Sequence, residues 1–274
     1  MPDLAANDGA VLHYEEAGSG QVVLLLGGWC MTTRFFDKQL QALSEDFRVI
    51  AMDMRAYGAS AKVSHGHRMA RHARDVYDLL GALDVQDAVV AGWSSGANTM
   101  LSYYELFGGE RISKLVHIDQ TPFCLNTDDW DLGFGTREQA DAFLAGFSAD
   151  PAGAAAGLVD AMFAEPVTAA EKEWMVAEMV KTPVRSALQF ERDHISADWR
   201  DVVPTVQVPV LVATGRRSAI FPWKSGEWMA QHLPHGEHQV FEDSGHLPFY
   251  EEPELFHQRL RAFIGADGAR AATE

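Results

Sequence analysis

A serine that could act as a nucleophile lies in Gly92-Trp93-Ser94-Ser95-Gly96. The apolar run 87–91 before it predicts a buried strand, and 97–106 after it predicts a helix. A strand, a G-x-S-x-G sequence and a helix in succession force the serine onto a tight turn and lift its hydroxyl clear of the backbone. The two glycines stand where a side chain would collide with the neighbouring strand or helix. The helix that begins there adds positive partial charge near the oxygen. A serine so placed can attack a carbonyl. A bare match could also be a plain strand-to-helix turn, so the chemistry requires an acid and a histidine later in the chain, in that order.

The segment Gln239–His246 reads as a strand that stops at a Gly245-His246 loop, and a last helix follows over 255–264 after Pro253-Glu254. Of the eleven histidines, His246 is the one at a strand end, so it is the candidate base. His65, His67 and His72 fall on a charged loop and helix start and are expected to be solvated. No metal-ligand cluster stands out. Two cysteines, Cys30 and Cys124, make no disulfide framework and read as reduced thiols past strand ends.

The chain resembles the α/β-hydrolase fold over nearly its whole length. Residues 22–29, Val-Val-Leu-Leu-Leu-Gly-Gly-Trp, resemble that family's third strand and oxyanion loop. Residues 47–60 resemble its fourth strand and the D-x-R-x-x-G-x-S loop, here Asp53 to Ser60. The resemblance implies an eight-stranded, mainly parallel sheet with helices on both faces. It also implies that the backbone N–H groups of Trp29 and Ser95 are the oxyanion donors, with Gly28 supplying the permissive loop backbone and Trp93 lying beside the site.

The acid departs from the family's commonest pattern. Most members carry it after the seventh strand, here 208–214, but that loop has Ser218 at the expected position. A serine cannot balance an imidazolium. Asp119 follows the sixth strand, 114–118, and could be a turn residue before Pro122 or the missing acid. Some small bacterial esterases have the same pair, with the Asp as acid and the Ser supporting it. The resemblance therefore implies a catalytic set of Ser94, Asp119 and His246, with Ser218 in support. Glu242 and Asp243 are the fallback carboxylates.

Composition agrees. A chain of 274 residues, 47% hydrophobic and 22% charged, can bury one large core. The net charge of −17 opposes binding to nucleic acid or to an anionic membrane surface. No apolar run approaches the ~20 residues of a membrane span. The opening Met1-Pro2-Asp3-Leu4 has no signal-peptide pattern, and a cytoplasmic location is the expectation.

Asn7-Asp8-Gly9 predicts a hairpin between two opening strands. Strands and helices then alternate to Pro122, and from 123 the pattern turns wholly helical. Helices are expected over 136–147 and 151–164, after a capping box at Thr168–Glu171, and after Pro183. The reading is a core of 1–122 and 204–274 carrying a helical cap of 123–203. Ala266–Glu274 is expected to be disordered. The cap's Phe134, Phe143, Met162 and Trp174, with Trp29 and Trp93, suggest a mostly apolar pocket. No arginine or lysine demands an anionic substrate.

The expected activity is hydrolysis of a carboxylic ester or lactone of a small, neutral, apolar or aromatic molecule through an acyl-enzyme, with no cofactor or metal. Trp93-Ser94-Ser95-Gly96-Ala97 also resembles the elbow of zearalenone-type lactonases. Two rivals stay open. Gly28-Trp29-Cys30 resembles the oxyanion loop of cofactor-free ring-cleaving dioxygenases, in which a His–Asp pair deprotonates a hydroxy-quinolone. Those enzymes have histidines where this chain has Met31 and Ser95. The other rival is a non-catalytic binding protein of the same fold. The oligomeric state is not legible.

Overall fold

The computed structural model describes the backbone of residues 3–271 and the side-chain surroundings of residues 3–265. Eight strands make one sheet in the order β1-β2-β4-β3-β5-β6-β7-β8. They are β1 (Asp3–Ala5), β2 (Val11–Ala17), β3 (Val22–Leu26), β4 (Arg48–Met52), β5 (Ala88–Trp93), β6 (Ile112–Ile118), β7 (Val210–Gly215) and β8 (Gly236–Phe241). Every residue of β3, β5 and β7 is buried, as expected for strands covered by helices on both faces.

The sheet is mixed. From β4 to β8 each neighbouring pair is parallel, whereas β2 pairs antiparallel with both β1 and β4. A short turn such as the one at Asn7–Gly9 can only reverse the chain, while a parallel return needs a crossover segment. Helices α1 (Asp37–Leu43), α2 (Met69–Ala82) and α3 (Ser95–Phe107) lie between the earlier strands. The elbow differs slightly from expectation: β5 runs through Trp93, and α3 begins at Ser95 rather than at Ala97.

Four helices separate β6 from β7: α4 (Arg137–Ala149), α5 (Pro151–Met162), α6 (Ala169–Met179) and α7 (Val184–Ser196). Local chemistry sets their starts. Thr136 and Thr168 form reciprocal capping boxes with Gln139 and Glu171, and Asp150 caps α5 with Pro151 at its first position. The chain closes with α8 (Lys224–His232), α9 (Pro248–Glu251) and α10 (Pro253–Ala271). The last helix runs past its expected end at Ile264, which corrects part of the disordered tail. Residues 272–274 lie outside the described residues.

Two of the three histidines expected in solvent are buried. His67 is 3% and His72 is 1% exposed. The His72 ring stacks on Phe190 of α7 with centroids 4.2 Å apart, and burial pushes its pKa well down. Its place on α2 gave no hint that α7 would cover it. No helix among the described residues is long and apolar enough to cross a membrane.

Candidate active site

Ser94 sits between β5 and α3 at φ 55° and ψ −129°. That conformation is unfavourable for a non-glycine residue and persists only where the surroundings enforce it. The two motif glycines are the enforcers. A Cβ on Gly92 would meet Gly96 O at 2.6 Å and Ala97 Cα at 2.7 Å, so this glycine lets α3 fold back against its own strand. A Cβ on Gly96 would meet Leu26 O at 2.6 Å and Gly27 O at 2.7 Å, so that one lets α3 lie on β3. The Ser94 N–H donates to Ile118 O at 3.0 Å, which ties the elbow to the end of β6.

Asp119 follows immediately after β6. Its N–H donates to Ala213 O of β7 at 2.8 Å, and its positive φ of 41° turns the chain there. Its carboxylate is 1% exposed and accepts three hydrogen bonds. Gly215 N–H donates to Oδ1 at 2.9 Å, Ser218 Oγ donates to Oδ2 at 2.7 Å, and His246 Nδ1 lies 2.6 Å from Oδ2. Since the carboxylate can only accept, the Nδ1 proton faces Asp119, and in the neutral ring Nε2 is then the acceptor. Glu242, the fallback acid, instead makes a surface ion pair with Arg216.

His246 is 3% exposed in the loop after β8, and several groups hold that loop. His246 N–H donates to Met162 O at 2.6 Å, Trp93 Nε1 donates to His246 O at 2.9 Å, and Gly245 N–H donates to Glu251 at 2.8 Å. Trp93 thus fastens the elbow strand to the histidine loop. Glu251, which sequence reasoning did not single out, also accepts from Ala164 N–H, and burial raises its pKa. Ser94 and His246 line one cavity but form no hydrogen bond with each other here. Such a bond often tightens only when substrate is bound.

The loop after β3 packs on the serine. A Cβ on Gly28 would sit 3.0 Å from Ser94 Cβ and 3.4 Å from Ser94 Oγ. Met31 N–H donates to Gly28 O at 3.1 Å, and the Trp29 indole donates to Ala187 O of α7 at 2.9 Å. Among the described residues, the backbone N–H groups of Trp29 and Ser95 have no hydrogen-bond acceptor.

The cavity has a volume of about 300 Å³. Its wall includes Trp29, Phe134, Phe143, Leu158, Met162 and Phe221, and neither lysine nor arginine. It also includes Glu191 and His194 of α7, which sequence reasoning missed. They share a face of α7 with Ala187, Phe190 and Ile195, a spacing that could have flagged them, but only the docking of α7 shows that this face meets the cavity. His194 is 3% exposed, with Nδ1 3.2 Å from Glu191 Oε2 and Nε2 3.0 Å from Gln120 Nε2. Burial opposes charging His194, but Cys124 and Glu191 outweigh it and push its pKa up. Cys30 and Cys124 are both buried and unpaired. Among the described residues, no three His, Cys, Asp or Glu side chains are grouped to hold a metal ion.

Comparison with known proteins agrees with this architecture. A family model for the alpha/beta hydrolase fold matches residues 21–253. The chain is 26% identical over 254 residues to the AB hydrolase superfamily protein YisY of Bacillus subtilis, covering 92% of this chain and 94% of that one. It is 28% identical over 265 residues to a pimeloyl-[acyl-carrier protein] methyl ester esterase of Nitrosomonas europaea, covering 90% and 97%. An esterase structure from Exiguobacterium antarcticum superposes with a TM-score of 0.92 at 26% identity, covering 96% of this chain and 98% of the other. With the elbow, the sheet order and the family match in agreement, the chain belongs to the α/β-hydrolase fold family.

Proposed function

We propose that this protein is a serine hydrolase that cleaves a small, neutral carboxylic ester or lactone. The observation that carries the reading is the buried His246–Asp119 contact of 2.6 Å beside the cavity that Ser94 enters from a strained elbow. His246 Nε2 takes the Ser94 proton as Oγ attacks the carbonyl. Asp119 fixes the tautomer and balances the imidazolium. The free N–H groups of Trp29 and Ser95 receive the oxyanion, each contributing about 3–4 kcal/mol to the barrier reduction. His246 then protonates the leaving oxygen, and a water activated by the same base releases the acid.

Residues 123–203 act as the cap in this reading. Helices α4, α5 and α7 supply Phe143, Leu158, Met162 and Glu191 to the wall, and the Trp29 indole bond to Ala187 anchors the cap on the oxyanion loop. The apolar lining favours a neutral acyl part of modest size.

The test is a fluorophosphonate probe, which should label Ser94, together with turnover of p-nitrophenyl esters of graded length and a lactone panel. Oxygen consumption with a 3-hydroxy-4-quinolone that persists in Ser94→Ala would favour the dioxygenase instead. Failure to label Ser94 or turn over any of these compounds would favour the binding protein.

A further inference from the structure

Of the polar groups on the cavity wall that the proposed mechanism leaves without a task, Glu191 carries the one carboxyl among the described residues. Glu191 is 8% exposed. Its Oε2 lies 3.2 Å from His194 Nδ1, while its Oε1 has no hydrogen-bond partner among the described residues. Elsewhere the wall is largely aromatic and aliphatic, with no lysine or arginine to neutralise a carboxylate. That oxygen is open to the cavity, so water serves it until a bound substrate displaces the water, and leaving it unmet is then costly unless the substrate brings a donor.

The position of Glu191 is set from behind. His194 Nε2 lies 3.0 Å from Gln120 Nε2 and 3.5 Å from both Asn98 Nδ2 and Cys124 Sγ. Gln120 is held by Thr121 N–H, which donates to its Oε1 at 2.7 Å, and Asn98 Nδ2 donates to Thr121 O at 3.1 Å. These anchors belong to the same elements as the catalytic candidates, since Gln120 adjoins Asp119 and Asn98 lies in the first turns of α3. The Glu191 carboxyl is therefore held in register with the reacting centre.

We propose that Glu191 determines specificity by accepting a hydrogen bond from a hydroxyl on the substrate, remote from the scissile carbonyl, with His194 as the positioning residue behind it. The inference rests on the serine-hydrolase reading above. A substrate carboxylate would set one acceptor against another, and the His194 ring beside them already faces Glu191. An ammonium would have to give up its hydration among aromatic rings, whereas a hydroxyl needs only one acceptor. A site built to bond a hydroxyl discriminates against the analogue that lacks it, because its own polar group is then left unmet.

The test compares phenyl alkanoates of graded length with and without a hydroxyl on the alkyl chain, followed by phenol release. At the length that reaches Glu191, the wild type should favour the hydroxylated ester about ten- to hundredfold in kcat/KM. Glu191→Leu should remove that preference, mainly through KM. Glu191→Gln keeps an acceptor of the same shape and should retain a reduced preference, and it carries the test if the leucine variant does not fold. Equal or better turnover of the unsubstituted ester at every length would overturn the proposal, as would a preference that survives in either variant at full size. Fluorophosphonate labelling of wild-type Ser94 separates the two levels of failure. Labelling and ester cleavage without hydroxyl preference defeat this inference alone, whereas no labelling and no cleavage defeat the hydrolase reading with it.

Discussion

Asp119→Asn tests the identity of the acid, and its effect can be worked from three hydrogen bonds. Gly215 N–H needs an acceptor at Oδ1, and Ser218 Oγ and His246 Nδ1 both need one at Oδ2. An asparagine offers one acceptor oxygen. If it faces Gly215, its NH₂ faces His246, selects the Nε2–H tautomer and removes the base that Ser94 requires. If it faces His246, the NH₂ confronts the Gly215 N–H, and no charge balances the imidazolium. Either way kcat on an activated ester should fall about 10⁴-fold, the usual loss when a triad acid becomes an amide. At 1.36 kcal/mol per decade that is about 5.5 kcal/mol of transition-state stabilisation. Ser218→Ala removes a hydrogen bond that the carboxylate makes both before and during reaction, so only the difference between the two states appears in the rate. A net hydrogen bond to a charged group, about 1.5–3 kcal/mol, sets a ceiling near a hundredfold. The assay is kcat for p-nitrophenyl ester hydrolysis, with Ser94 labelling and thermal unfolding to show that each variant is folded. An Asp119→Asn enzyme within tenfold of wild type would refute the argument, and a Ser218→Ala loss larger than that of Asp119→Asn would reverse the assignment.

Ser94→Ala should lose nearly all ester turnover while circular dichroism and substrate binding persist; label on Ser95 or Cys30 in the wild type would move the nucleophile. Gly96→Ala should destabilise by about 3 kcal/mol in chemical denaturation, because its methyl would press on the carbonyls of residues 26 and 27. Gly157→Ala, on α5 with nothing within 4 Å of the added carbon, should instead stabilise by about 0.5–1 kcal/mol. Burial lowers the pKa of His117 from 6.5 to about 4, and both ring nitrogens lack partners among the described residues. The unfolded chain therefore binds the extra proton first, and stability contributed by a neutral His117 is complete above pH 6.5 and lost as pH falls towards 4. That term is about 3 kcal/mol, so His117→Leu should flatten the acid limb of a stability–pH curve by this amount, and an unchanged slope would contradict it.

The elbow was legible because its determinants are local. Gly92, Ser94 and Gly96 form one short motif, and Gly92 clears its own helix; Gly96 clears the end of β3 about 70 residues earlier, so its spacing was legible but its partner was not. Helix starts were legible for the same reason, since Thr136 and Thr168 satisfy N–H groups three residues away. Register and pairing direction are less local. The hairpin at the N-terminus was foreseen, but the antiparallel pairing of β2 with β4 joins segments some 35 residues apart, and that pairing makes the sheet mixed.

Asp119 was a candidate because it follows a strand end and because Ser218 held the usual place of the acid, a pair that resembles some small bacterial esterases. Sequence alone determined which residue types could do the work: a serine on a forced turn, a histidine at a strand end, a carboxylate between them in order. Tertiary structure decided which of them meet. Asp119 and His246 are 127 residues apart and touch because β6, β7 and β8 lie side by side and end on one edge of the sheet. Glu191 and His194 were invisible for the converse reason. A helix pattern shows which residues share a face, but the direction of that face is set by what the helix packs against. Here that partner is the serine's own cavity.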